Sequence, residues 1–245
     1  QFPGQGSLVL KSDGSLVIAT PFEAPNGNIT LEAESILASG DLEEPVIIAP
    51  QGRVTLVSQT GIGNPSTGGL GISANELSAT TQTGDLVLEL NGTTDVAGAG
   101  VGIQSGTGIL QLSSNTGSLN LRSSIFHNDR GDIDINLALG GLTMNIDSSI
   151  FTNSGDINLV TRTDILITQI RTEDGTIDIR SREGLVQAFE EFLEPNIISS
   201  TTSDIFAFTV ADFTVQSDDV RVNDQIYRRN ENQTTIEILL VFVEQ

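Results

Sequence analysis

The sequence contains no cysteine and no tryptophan, and it has one histidine, one lysine and one tyrosine among 245 residues. The absence of cysteine excludes disulfides, thiolate metal sites and cysteine nucleophiles. The single histidine, His127, excludes most histidine-based catalytic triads and zinc clusters built on Cys and His. Carboxylates are therefore the main candidates for catalytic or metal chemistry.

Long apolar runs are also missing. No stretch approaches the ~20 apolar residues that a membrane-spanning helix needs. No basic segment followed by an apolar one opens the chain, as it would in a secretory signal peptide. We therefore expect a soluble chain without a membrane span, whose Gln1 could follow a removed leader.

Basic residues are few, since 11 Lys and Arg stand against 32 Asp and Glu, which gives a net charge of −21 and a pI near 4.1. Such a charge opposes binding to nucleic-acid phosphates or to an anionic membrane surface, so nucleic acid is excluded as a partner. Charged, aromatic-poor sequences can be disordered. Here Leu, Ile and Val are plentiful and alternate as in strands, which predicts a folded chain.

What the sequence does contain is one short motif, Gly-x-[Ile/Leu/Val]-x-[Ile/Leu], repeated at intervals of 20–32 residues. We call it the glycine motif. Its apolar residues lie two apart and so share one face of a strand, while Asn, Asp, Thr and Arg take the other face. The copies are "GSLVL" at Gly6, "GNITL" at Gly27, "GRVTL" at Gly52, "GDLVL" at Gly84, "GILQL" at Gly108, "GDIDI" at Gly131, "GDINL" at Gly155 and "GTIDI" at Gly175.

The repeat length selects among repeat architectures. Further short strands are predicted between the copies, so that each unit of roughly 20–25 residues holds two or three strands joined by turns. A propeller blade needs about 40 residues, and a leucine-rich repeat needs its Asn/Leu consensus. A parallel β-helix fits, because stacked coils bury a core that no single coil could bury alone. We predict an all-β fold, a right-handed parallel β-helix of about eight coils over residues 1–183.

Alignment of "SSIFTNSGDINL" (148–159) with its upstream and downstream copies predicts which residues stack. The predicted stacks are an inward ladder of Ile125, Ile150 and Ile170 and a neighbouring ladder of Phe126, Phe151 and Arg171. The widest interval between copies contains "GIGNPSTGGLGISANEL". We expect an external loop there, at 61–77.

The sequence changes character after Glu183, which predicts a second unit at 184–245. The apolar spacing of 183–195 predicts a short amphipathic helix that caps the last coil. Strands are predicted at 204–210, 212–216, 219–224 and 234–245. The last strand could close a small terminal sheet, or it could add to the edge of a neighbouring molecule and form a head-to-tail filament.

Several stretches resemble a known family. "APNGNITLEA", "GRVTLVS", "TNSGDINLVTRTDILITQI" and "DGTIDIRS" are similar to the degenerate repeats of filamentous haemagglutinin-like exoproteins, the two-partner-secreted β-helical adhesins that are abundant in cyanobacteria. The resemblance covers about residues 6–183, and it supports the right-handed sense of the helix. It implies export to the cell surface and a role in adhesion or in structural filaments. The amino-terminal secretion motifs of that family are not recognisable, so we expect an interior or carboxy-terminal piece, or a different export class.

The carboxylates allow two kinds of chemistry. Asp132 and Asp134 share the outer face of one predicted strand, with Asp156 and Asp178 on later coils, and paired carboxylates are what a glycosidase uses. A solvated acidic face explains the same residues, and we expect no catalysis and no required cofactor. Calcium takes carboxylate oxygens and would relieve repulsion between stacked Asp side chains. The candidate ligands are Asp129, Asp132, Asp134 and Asp156, or in the tail Asp218, Asp219 and Asp224.

Two further features favour a structural interpretation. "RGD" at 130–132 resembles a cell-binding tripeptide, but Gly-Asp recurs at the same place in other copies, so we interpret it as part of the repeat. His127 falls at a predicted coil corner, where we expect a solvent-facing turn residue. The sequence thus predicts an extracellular or cell-surface module whose partner is either surface glycans or a second copy of itself. A polysaccharide-active enzyme is the alternative outside that class.

Overall fold

A computed structural model describes residues 6–39, 45–66, 68–98, 101–172, 175–184 and 186–188, together with the strands at 197–199, 205–209, 219–222, 225–228 and 236–238. Every regular element in these ranges is a β-strand. The all-β prediction is therefore confirmed for the described part of the chain.

Three long strands lie between residues 29 and 81, and each of the other strands has two to seven residues. The first nine are β1 (Leu8–Lys11), β2 (Leu16–Ile18), β3 (Phe22–Glu23), β4 (Ile29–Ala38), β5 (Ile47–Ile62), β6 (Leu70–Thr81), β7 (Leu86–Leu90), β8 (Thr94–Val96) and β9 (Val101–Ser105). The next ten are β10 (Leu110–Ser114), β11 (Leu119–Leu121), β12 (Ser124–Arg130), β13 (Ile133–Leu137), β14 (Leu142–Met144), β15 (Ser149–Ser154), β16 (Ile157–Thr161), β17 (Ile165–Ile167), β18 (Gln169–Thr172) and β19 (Ile177–Ser181). The last are β20 (Val186–Ala188), β21 (Ile197–Ser199), β22 (Ile205–Thr209), β23 (Asp219–Val222), β24 (Gln225–Arg228) and β25 (Ile236–Ile238).

The strands form three parallel ladders, in each of which a strand pairs with its equivalent one coil later. The first ladder joins β9, β12, β15, β18 and β21, the second joins β7, β10, β13, β16, β19 and β22, and the third joins β8, β11, β14, β17 and β20. Nearer the amino terminus, β4, β5 and β6 each contribute to more than one ladder. One chain winding through three parallel ladders is a parallel β-helix, as predicted; its handedness stays a prediction.

The core is the inside of the coil, and it follows the alternation of the sequence. Ile125 pairs with Ile150 and Ile150 with Ile170, and all three side chains are fully buried. Phe126 pairs with Phe151 on the outer side of the same strands. Phe151 in turn pairs with Arg171, so both predicted ladders are confirmed. Each buried Ile contributes about 1.5–3 kcal/mol of hydrophobic stabilisation, because its neighbours above and below exclude water.

The glycine motif changes face part-way along the chain. The copies at Gly6, Gly27 and Gly52 begin strands that run from the third ladder into the first. Leu8, Ile29 and Val54 pair in succession, and Val54 is joined through Leu77 to Val96 of β8. From Gly84 onward the copies begin strands of the second ladder, where Leu86 pairs with Leu110 and Leu110 with Ile133. The widest interval between copies, from Gly52 to Gly84, is therefore longer than one coil, because the second of these copies lies on a different ladder.

The external loop predicted at 61–77 is met only in part, because two strands occupy most of this stretch. β5 runs to Ile62 and β6 begins at Leu70, and the side chains of Leu70, Ile72 and Leu77 are fully buried in the core. Of the described residues of this stretch, only those at 63–66 and 68–69 lie outside the two strands.

The carboxy-terminal residues also differ from expectation. The spacing of 183–195 predicts a helix, yet Val186–Ala188 is a strand that pairs in parallel with β17. A ladder position gives each backbone group a partner, whereas a two-turn helix leaves four N–H and four C=O groups unpaired. β21 and β22 pair with β18 and β19, so parallel pairing continues past Glu183.

The remaining tail predictions are met only in part. β22, β23 and β25 lie within the predicted strands at 204–210, 219–224 and 234–245. β25 pairs antiparallel with β21 of the same chain, and β23 pairs antiparallel with β24. Residues 189–196 and 212–216 lie outside the described residues, and the division into domains at 183 stays a prediction.

Glycine recurs at the corners because the coils approach each other there too closely for a side chain. A Cβ added at Gly131 would lie 2.0 Å from the carbonyl oxygen of Gly108. A Cβ at Gly155 would lie 2.3 Å from the oxygen of Gly131, and one at Gly175 would lie 2.0 Å from that of Gly155. These contacts are with backbone atoms, which cannot move aside without breaking the pairing.

We predict that Gly131→Ala lowers the free energy of unfolding by about 1–3 kcal/mol, because the added methyl group forces two coils apart. Gly14→Ala is the matched control, since no atom lies within 4 Å of the position that a Cβ would take on Gly14. It should change the stability by less than about 0.5 kcal/mol. Urea unfolding followed by circular dichroism measures both. Equal effects of the two variants would contradict the packing argument.

Candidate functional site

Four of the candidate carboxylates lie on the outer side of the second ladder. We call this set, Asp132, Asp134, Asp156 and Asp178, the acidic face. Asp132 is exposed and the other three are half-buried. They point outward because the residues that alternate with them, such as Ile133, point into the core.

Two carboxylates of the acidic face bind the backbone of the next coil. The N–H of Asp156 donates to Oδ1 of Asp132 at 2.9 Å, and the N–H of Thr176 donates to Oδ1 of Asp156 at 2.7 Å. The same bond joins two earlier pairs of coils, from Ile109 N to Asp85 Oδ1 and from Arg53 N to Asn28 Oδ1, each at 2.9 Å. We call these four bonds the Asx ladder. They explain why Asp or Asn so often follows the glycine of the motif.

Asp134 has a different partner on the neighbouring coil. Its Oδ1 accepts a hydrogen bond of 2.9 Å from the side-chain amide of Asn158. In the same outward column, Gln111 pairs with Asp134 and Asn158 pairs with Asp178. An amide thus separates the two carboxylates of the column.

The structure does not gather the residues predicted to bind calcium. Within the described ranges, no three His, Asp or Glu side chains form a group that could hold a metal ion. Asp129 lies exposed at the preceding corner, where its N–H donates to His127 Nδ1. Asp218 and Asp224 lie outside the described residues, and Asp219 pairs through its backbone with Arg228. Calcium binding stays a prediction.

Asp178 is the one member of the acidic face with an unusual environment. Its Oδ1 is buried and has no hydrogen-bond partner. Arg180 Nη2 lies 3.8 Å from Oδ2, too far for a close ion pair. Burial raises the pKa of Asp178 above its ordinary value of 3.8, and the charge of Arg180 opposes this rise. The carboxylate form is therefore disfavoured by the fold.

The expectation for His127 is wrong, because this side chain is fully buried. Its Nε2 donates to the carbonyl oxygen of Gly108 at 2.8 Å, and its Nδ1 lies 3.1 Å from the carbonyl oxygen of Asp129. His127 occupies the inward position two residues after Ile125, so the alternation of the strand carries it into the coil.

His127 belongs to a column of buried polar side chains at the end of the first ladder. We call it the corner column. Thr152 and Thr172 of this column do what the imidazole does, because each donates to a glycine carbonyl at the corner of the preceding coil. These bonds run from Thr152 Oγ1 to Gly131 O at 3.2 Å and from Thr172 Oγ1 to Gly155 O at 3.0 Å. The corner column therefore donates hydrogen bonds to glycine carbonyls that lie in the turns and so lack a partner in the ladders.

The Arg-Gly-Asp tripeptide is part of this corner. Arg130 and Asp132 are exposed, but the Asp132 carboxylate already accepts the N–H of Asp156. Gly131 is packed against Gly108. The contacts support the interpretation of this tripeptide as part of the repeat.

An ion cluster lies where the third ladder turns into the first. Arg53 binds Glu76 with Nη2 to Oε2 at 2.5 Å, and Arg122 binds Asp95 with Nη2 to Oδ2 at 2.5 Å. The amide of Asn120 donates to Asp95 Oδ1 at 2.7 Å. Asp95 is buried, and both of its oxygens have partners. The cluster ties successive coils together and leaves no acidic oxygen of Asp95 for a ligand.

The outward aromatic residues stack on each other. The rings of Phe126 and Phe151 lie 5.0 Å apart and nearly parallel, and the guanidinium carbon of Arg171 lies 5.4 Å from the centre of the Phe151 ring. Neighbouring coils therefore cover both faces of Phe151. A sugar ring stacks on an aromatic face, and Phe151 has no open face for such stacking.

Comparisons of the chain with known protein families, with curated proteins and with solved structures find no match. The β-helical repeat is thus shown by the structure alone. No helix in the described part of the chain is long and apolar enough to cross a membrane.

We predict that Asp132→Ala lowers the free energy of unfolding by about 0.5–1.5 kcal/mol, because it removes the acceptor for the N–H of Asp156. Asp132→Asn keeps an oxygen at that position and should retain most of the stability. Chemical denaturation of the two variants side by side measures the difference. The Asx ladder would have no stabilising role if alanine and asparagine proved equivalent.

We predict that Asp178→Asn stabilises the protein at pH 7. The unfolded chain ionises Asp178 at its ordinary pKa, whereas the folded chain has a raised pKa and pays for the buried charge. The gain should shrink as the pH falls through the folded pKa and vanish below about 3.8. Thermal unfolding between pH 3 and pH 7 measures this dependence.

The matched control is Asp134→Asn, which removes one negative charge from the same outward column and keeps an acceptor for Asn158. If both variants raised the melting temperature equally at pH 7, a general reduction of negative charge would explain the effect, and the burial of Asp178 would not.

Proposed function

We propose that this chain is a structural and adhesive module of an exported surface protein, a non-catalytic β-helical rod of the filamentous haemagglutinin-like kind. The observation that carries the proposal is the use of the outward carboxylates. Asp132, Asp134 and Asp156 each bind a group of the next coil, so three of the four carboxylates of the acidic face help to hold the rod together.

The repeat itself supports the same function. A stack of coils with a continuous apolar core makes a stiff, extended scaffold, because each coil contacts only its neighbours and the stack can lengthen without redesign. Such a scaffold presents corners and outer faces along its length. The resemblance of residues 6–183 to the repeats of two-partner-secreted adhesins points to the cell surface as its location and to surface glycans as its partner.

A filament built by strand addition is less favoured. In such a filament the segment 234–245 would pair with a neighbouring molecule. In this chain β25, within that segment, pairs with β21 of the same molecule. Head-to-tail addition would first have to break this pairing.

The test combines adhesion and activity on one preparation. Beads coated with the chain should be retained on glycan-bearing cell surfaces more strongly than beads coated with an unrelated protein of similar negative charge. The same chain, incubated with acidic polysaccharides, should release no reducing or unsaturated ends above a buffer control. Negative-stain electron microscopy should show isolated short rods at every concentration.

Three outcomes would contradict the proposal. Release of sugar ends that is lost in Asp132→Asn or Asp134→Asn would indicate an enzyme. Concentration-dependent fibres would indicate a filament subunit. Retention no greater than that of the control beads would leave no support for adhesion.

A further inference from the structure

Two Asn-Gly pairs occur in the sequence, at Asn26–Gly27 and at Asn91–Gly92. In such a pair the backbone nitrogen of the glycine can attack the side-chain carbon of the asparagine, because glycine has no side chain to obstruct the approach. The surroundings of the two pairs differ, and the difference bears on this reaction.

Asn91–Gly92 lies in the connection between β7 and β8. Asn91 is exposed, Gly92 has a φ of 95°, and no atom lies within 4 Å of the position a Cβ would take on Gly92. The segment therefore has room around the glycine for the backbone to change conformation.

One hydroxyl group links the two groups that would react. The N–H of Gly92 donates to Thr116 Oγ1 at 2.9 Å, and Thr116 Oγ1 donates to Asn91 Oδ1 at 3.2 Å. Thr116 is exposed and lies on the next coil. A hydroxyl that accepts from one group and donates to the other is placed to move a proton between them.

We propose that Asn91 is a site of self-modification, at which Thr116 promotes closure of the Asn91–Gly92 pair to a succinimide. As the Gly92 nitrogen bonds to Asn91 Cγ, its proton passes to Thr116 Oγ1, and the hydroxyl proton of Thr116 passes to Asn91 Oδ1. The tetrahedral adduct then returns this proton to Nδ2, which leaves as ammonia while the Cγ carbonyl re-forms. Water opens the ring to aspartate or isoaspartate.

Asn26–Gly27 has no such relay. The N–H of Gly27 donates to the carbonyl oxygen of Ala24 at 3.0 Å, and a carbonyl oxygen has no proton to give in return. Gly27 is buried, and a Cβ there would lie 2.0 Å from the carbonyl oxygen of Gly6. The backbone at Gly27 is held on both sides, so this pair serves as an internal control.

The reaction would change the rod at one corner. Gly92 is the first member of a stack in which a Cβ on Gly117 would lie 2.1 Å from the carbonyl carbon of Gly92. Isoaspartate adds one methylene to the backbone just before Gly92. The product would therefore disturb the packing of Gly92 on Gly117, and it would place a new carboxylate two residues from Glu89.

The test follows ammonia loss at both pairs in the full chain. The protein is incubated at mildly alkaline pH in ¹⁸O-labelled water, then digested and analysed by mass spectrometry, with isoaspartate separated from aspartate by chromatography. We expect Asn91 to react about tenfold faster than Asn26 in the folded chain, and the two rates to converge in urea. Equal rates in the folded chain would overturn the proposal.

Two variants test the relay itself. Thr116→Val removes the hydroxyl and keeps a β-branched side chain, and it should slow the reaction at Asn91 by about tenfold or more. Thr116→Ser keeps the hydroxyl and should retain the rate. Circular dichroism confirms that each variant is folded before the comparison. A reaction in Thr116→Val as fast as in the unaltered chain, or faster, would show that the two hydrogen bonds restrain Asn91 and do not activate it.

Discussion

The structure depends on one constraint, the in-register parallel pairing of each coil with the next. This pairing brings equivalent residues of successive coils into contact at the spacing between neighbouring strands, about 4.8 Å. A residue that suits its position in one coil therefore suits the same position in the next. Ile over Ile in the core, Phe over Phe outside and glycine over glycine at the corners all follow from this constraint. The repeated motif in the sequence is its direct consequence.

The corners are where the constraint is hardest to meet, because the chain turns there and its backbone groups leave the ladders. At these corners side chains supply the hydrogen-bond partners that the ladders no longer provide. The corner column binds glycine carbonyls, and the Asx ladder binds the N–H of the residue after glycine. Buried backbone groups that lack partners cost about 1–3 kcal/mol each, so these bonds decide whether a coil can stack. The polar residues of the motif are thus as structural as its apolar ones.

The alternation and period of the sequence predict the fold class, the inward ladder of Ile125, Ile150 and Ile170 and its outward neighbours, because pairing in register preserves both. The same alternation, extended by two residues from Ile125, also places His127 inside, although its polar neighbours suggest an exposed turn. The change of face after Gly52 could not be predicted, since the motif looks the same on either face. The strand at Val186–Ala188 could not be predicted either, because pairing with β17 overrides a local helical spacing. The Asx ladder needs the register of two coils at once, which no single copy of the motif reveals.

A chain with a net charge of −21 must stack its coils without stacking its charges. Carboxylates one coil apart repel, so an unbroken column of Asp would oppose the pairing that the core favours. In the column of Asp134 and Asp178 the amide of Asn158 intervenes and donates to Asp134. Where Asp132 and Asp156 do follow directly, a backbone N–H donates to the first of them. In these columns the carboxylates are separated by an amide or bound by an N–H group, so the acidic surface is compatible with in-register stacking. The negative charge of the surface then acts mainly on molecules that approach the rod.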